Sequence, residues 1–76
     1  MNKRQLAKIS DNLRAYEHNF EKPYFEVGDQ GGVYVYRNEQ DYKNGTSWVQ
    51  FCYNVDYLNG WLYGAVQAKC QQIKAI

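Results

Sequence analysis

The chain has 76 residues, enough for one domain and too few to enclose a deep pocket. Its net charge of +1 carries none of the basic excess expected of a nucleic-acid or membrane-surface protein, so binding to either is not expected. No apolar run approaches the length of a membrane span.

The first predicted element is a helix over about residues 3–19. Leu6, Ile9, Leu13, Tyr16 and Phe20 recur at spacings of three and four, which draws one apolar stripe down a helical surface. Lys3, Lys8, Asp11, Arg14 and Glu17 fall on the other faces and are expected in water. Pro23 sets the limit, because it cannot continue the ladder and pushes residue 22 out of helical geometry.

Strands follow. Tyr24-Phe25-Glu26-Val27 leads into the turn Gly28-Asp29-Gln30-Gly31-Gly32, and Val33-Tyr34-Val35-Tyr36 answers it with strong β-formers. The polar stretch from Arg37 to Thr46 contains the turn signal Asn44-Gly45. A third strand is expected over Ser47 to Tyr53, completing an antiparallel meander. A second long helix then opens near Asn54 or Asp56, either of which can cap it. Its stripe is Val55, Leu58, Leu62, Val66 and Ile73, widened by Trp61, Ala65 and Cys70. The expected fold is α+β in the order α-β-β-β-α, with two helices on one face of the sheet and residues 1–76 forming one domain.

Within the last helix Gly60, Gly64 and Ala68 repeat every four residues. Each glycine costs a soluble helix roughly 1 kcal/mol relative to alanine. Close approach of another backbone would offset that cost, either from helix or sheet of the same molecule or from a second copy in a symmetric dimer.

The search for chemistry returns no catalytic set, no cofactor site and no metal site. His18 is the lone histidine and falls near the polar end of the first helix, where it is expected to face solvent. Cys52 and Cys70 match no metal-ligand spacing with it. Two cysteines do not make a disulfide framework; both are expected as free thiols in a reducing cytoplasm, the alternative being one strand-to-helix bridge. The glycine-rich turn lies between strands and lacks a following Lys-Ser or Lys-Thr, so it reads as a hairpin and not as a phosphate loop. The element order matches the double-stranded-RNA-binding domain, but that domain needs a basic start to its second helix. Here that start is Asn54-Val55-Asp56-Tyr57, with no Lys or Arg before Lys69.

The sheet gives the sharpest functional expectation. Side chains alternate between its faces. If Phe25, Val27, Val33, Val35, Val49 and Phe51 meet the helices, then Tyr24, Tyr34, Tyr36 and Trp48, with Gln50 and Cys52, face away. Tyr and Trp are enriched at interface centres, so this face is expected to dock a protein partner. The alternative is a weak nucleic-acid-binding module, using Lys3, Arg4, Lys8 and Arg14 of the first helix or stacking bases on the sheet.

The run Asn54-Val55-Asp56-Tyr57-Leu58-Asn59-Gly60-Trp61-Leu62-Tyr63-Gly64-Ala65, following an aromatic strand, resembles small proteins encoded by Gram-positive conjugative or phage-like mobile elements. The likeness covers the last third of the chain. It implies a bacterial accessory protein of the cytoplasm, acting on a host or element-encoded partner, and assigns no residue a role.

Overall fold

A computed structural model describes the backbone over residues 1–74 and the side chains through residue 70. Helix α1 spans Lys3–Asn19. Asn2 caps it: its side chain accepts from the Gln5 N–H while Gln5 reaches back to the Asn2 N–H, so two otherwise unpaired amide groups are satisfied reciprocally. Strands β1 (Tyr24–Val27) and β2 (Val33–Tyr36) form the expected hairpin, with Tyr24 opposite Tyr36 and Val27 opposite Val33. Gly31, at φ +85°, takes the left-handed turn conformation that favours glycine.

The stretch read as a polar connection holds a further element, helix α2 over Glu39–Lys43. Asn38 caps it by accepting from the Asp41 N–H, and Glu39 and Asp41 sit in its first turn, where carboxylates suit the helix dipole. The observed order is therefore α-β-β-α-β-α, still an α+β fold with a three-stranded antiparallel sheet ordered β1-β2-β3. Strand β3 is only Gln50–Cys52, so Ser47 to Val49 and Tyr53 lie outside the strand proposed for them. The last helix, α3, spans Val55–Lys74 and is capped by Asn54, which accepts from the Tyr57 N–H. Ile73, assigned to its apolar stripe, lies outside the residues whose side chains are described.

The core forms between the sheet and the two long helices. Ile9 and Tyr16 of α1, Val33 and Val35 of β2, Cys52 of β3 and Val55, Leu58, Leu62 and Val66 of α3 are buried together. Helices α1 and α3 are also tied by polar contacts. Asn12 Nδ2 donates to Asn59 Oδ1 at 2.8 Å, and Lys8 pairs with Asp56 at the surface. Helix α1 departs from its expected stripe at both ends, where Leu6 and Phe20 are exposed. Phe20 instead stacks on Tyr16, with the Lys69 ammonium over its ring.

The register of β3 corrects the assignment of its faces. Cys52 lies opposite Val33 and Gln50 opposite Val35, so both turn toward the helices, whereas Phe51 lies opposite Tyr34 on the far face. Val49 was placed inward but is exposed. The cause is local. Val49 donates its N–H to the Val35 carbonyl although Gln50 is the residue opposite Val35, so two residues of the incoming chain meet one of β2. That is the count of a β-bulge, and one inserted residue shifts every later side chain to the other face.

Candidate functional interface

The far face of the sheet is built from cross-strand pairs that point the same way. Tyr24 and Tyr36 are opposite each other, as are Glu26 and Tyr34, then Tyr34 and Phe51. The expected residues Tyr24, Tyr34, Tyr36 and Trp48 do share this surface, and four further rings join them. Tyr42 comes from α2, which lays its ring over the first pair: centroids are 4.4 Å from Tyr24 and 5.0 Å from Tyr36. On the other side Tyr34 contacts Trp48 at 5.7 Å and Phe51 at 4.9 Å. Phe51 meets Tyr53, and Tyr53 meets Tyr57 at the start of α3. Offset and edge-to-face pairs at these separations are mutually favourable.

The two groups differ in exposure. Tyr24, Tyr36 and Tyr42 half-bury one another, while Trp48 is 47% and Tyr53 71% exposed. Rings of this size so open to water mark a surface able to bury more area on contact. Sequence reasoning missed Tyr42, Phe51, Tyr53 and Tyr57 as members. The signal for Tyr42 was Asn38 three residues before Asp41, a capping pattern; the bulge that turns Phe51 outward has no comparable signature.

The charges on this face are acidic. Glu26 stands among the tyrosines, and Asp29 lies in the β1–β2 turn. Hydrogen bonding to Glu26 and its charge raise the Tyr42 hydroxyl above the usual tyrosine range, while loss of solvent, then Glu26, does so for Tyr36. Arg37 is turned to another edge, where Asp41 holds it at 2.8 Å and Glu21 at 3.5 Å, and where it borders a groove with Tyr16 and Phe20. Lys43 pairs along α2 with Glu39. Neither Glu26 nor Asp29 forms an ion pair with a described residue.

Beside Asp29 the face is notched. Gly28, Asp29, Gln30, Gly32, Tyr34 and Phe51 line a depression of about 190 Å³. Gly32 shapes it, because a Cβ there would come within 2.7 Å of the Phe51 ring.

Gly60, Gly64 and Ala68 lie exposed on the outer side of α3. A Cβ at Gly60 or Gly64 would meet nothing within 4 Å, so packing among the described residues does not account for either glycine. Among the described residues no group of three or more His, Cys, Asp and Glu side chains is placed to hold a metal ion. His18 is exposed, and Cys52 and Cys70 are free thiols. None of the described helices is long and apolar enough to cross a membrane.

Comparison with known protein families, with curated proteins and with solved structures finds no match to this chain.

Proposed function

We propose that this chain is a non-catalytic protein–protein interaction module that docks its partner on the aromatic face of the sheet. The observation that carries the reading is the set of rings from Tyr24 to Tyr53 on the side of the sheet opposite the core, continued by Tyr57 at the start of α3, with Trp48 and Tyr53 the most open to solvent. Tyr and Trp give large contact areas at low conformational cost, which suits them to interface centres. A bacterial accessory role in the cytoplasm is proposed on the resemblance read in residues 54–65 alone.

The test replaces Tyr34 and Tyr36 by Ser. Circular dichroism should report an intact fold, and a partner captured from the source cell by the unaltered chain should be lost. Capture that survives in the folded double variant rejects the aromatic face as the docking surface.

Self-association is a second reading, favoured by the open space above Gly60 and Gly64, which lets another backbone approach α3 closely. Light scattering across a concentration series tests it: a monomer at every concentration removes it. The nucleic-acid alternative rests on Lys3, Arg4 and Arg14, all exposed on α1. Its test is a salt titration against mixed oligonucleotides, where flat, negligible binding at low salt eliminates it.

A further inference from the structure

We infer that the partner presents an arginine-bearing basic segment, whose guanidinium enters the notch beside Asp29 and lies against Tyr34 and Phe51. This rests on the aromatic face being the docking surface and names the chemistry of what docks there.

Charge complementarity selects the occupant. The face offers apolar rings and two carboxylates, Glu26 and Asp29, neither ion-paired to a described residue, while the nearby cations Arg37 and Lys43 are already engaged by Asp41, Glu21 and Glu39. An acidic segment or a nucleic-acid backbone would meet repulsion here, and a purely apolar one would bury the Asp29 carboxylate without an ionic partner. A basic segment avoids both penalties. The notch then distinguishes arginine from lysine. Two rings in mutual contact, centroids 4.9 Å apart and tilted by 52°, line it, and its one charged lining residue is Asp29. A planar guanidinium can lie on an aromatic face and still direct paired N–H donors at a carboxylate; a lysine ammonium is a point charge that does one or the other. Gly28 and Gly32 contribute lining without side chains. At Gly32 this is required, because a Cβ would displace the Phe51 ring.

The experiment is a titration of the ¹⁵N-labelled chain with three unstructured peptides of equal length: one alternating Gly and Arg, one Gly and Lys, one Gly and Glu. The Arg peptide should shift the amide signals of residues 28–34 and 51, bind several-fold more tightly than the Lys peptide, and leave the Glu peptide inert. Asp29→Asn, a substitution at an exposed turn that leaves the fold intact, should weaken the Arg peptide about tenfold, the effect of one charge-assisted contact. Equal binding of Arg and Lys peptides, indifference to Asp29→Asn, shifts confined to α1 or α3, or the same amide shifts produced by a thymidine oligonucleotide would each overturn the inference. So would an absence of shifts at millimolar peptide. The docking reading is judged separately: a cellular partner lost in the Tyr34→Ser, Tyr36→Ser variant but kept in Asp29→Asn preserves the aromatic face and removes the arginine.

Discussion

The ring of Phe51 lies over Gly32, close enough that a Cβ on Gly32 would stand 2.7 Å from Cε1 and 2.8 Å from Cζ. Gly32 is buried and its φ is not positive, so crowding and not backbone strain excludes a side chain there. Gly32→Ala is expected to force Phe51 off Tyr34 and destabilise the fold by about 1–3 kcal/mol, the usual cost of overpacking. Denaturant unfolding measures the loss, and near-ultraviolet circular dichroism should change as the coupled rings of Tyr34, Trp48 and Phe51 rearrange. Unaltered stability would mean that the ring yields at no cost.

Glu26 gives the face a signature in alkaline titration. The Tyr42 hydroxyl is raised above 10.0 first by hydrogen bonding to Glu26 and then by its charge. For Tyr36 loss of solvent leads and the charge of Glu26 follows. A folded pKa above the unfolded value means the neutral form is favoured in the fold. The associated stability is fully present below the ordinary tyrosine pKa and is lost as pH rises through the elevated folded values. Tyrosinate absorbance should therefore show Tyr42 ionising late in the unaltered chain and earlier in Glu26→Gln, with Tyr36 moving less. Identical titration curves would show that Glu26 does not act on these hydroxyls.

What the sequence disclosed and what it hid divide along physical lines. Helix α1 and the β1–β2 hairpin were legible to the residue, because a 3.6-residue stripe, a proline stop and a glycine turn are local signals. Tyr24, Tyr34 and Tyr36 were assigned to the far face correctly for the same reason, since β1 and β2 alternate without interruption. Helix α2 was hidden because Asn38, Glu39 and Asp41 serve a helix start and a polar loop equally well. Strand β3 misled in a more instructive way. Trp48 and Phe51, three apart, pack on the same side of Tyr34, which strict alternation forbids and one bulged residue permits. The slip moved Cys52 into the core and Phe51 onto the aromatic face.

The two thiols should separate accordingly. Cys52 is fully buried and loss of solvent pushes its pKa up to about 11, whereas Cys70 is half-buried on α3. Because the folded value of Cys52 lies above the unfolded one, its contribution to stability persists below the ordinary thiol range and fades as pH climbs toward 11. Iodoacetamide at mildly alkaline pH should label Cys70 in the native state and reach Cys52 only at the rate of unfolding. Mass spectrometry of the quenched reaction locates the label. Early modification of Cys52 would place it on the outer face and restore uninterrupted alternation in β3.

Gly60 and Gly64 pose the sharpest question about selection on this chain. Both lie in the interior of α3 with open space where a Cβ would be, so nothing in the described fold requires them to be glycine. Alanine at either position should stabilise the monomer by about 1 kcal/mol through helix propensity alone, and the double variant by about twice that. A soluble helix that keeps two such glycines gives up stability that single substitutions would restore, and an approach by another backbone is the physical use that glycine uniquely serves. The two effects come apart in one experiment. Thermal unfolding of Gly60→Ala, Gly64→Ala at low concentration should show a raised Tm. Light scattering at high concentration should show weakened association if a second copy uses the stripe and no change if none does. A lowered Tm would mean that these positions are crowded, contrary to the space seen around them.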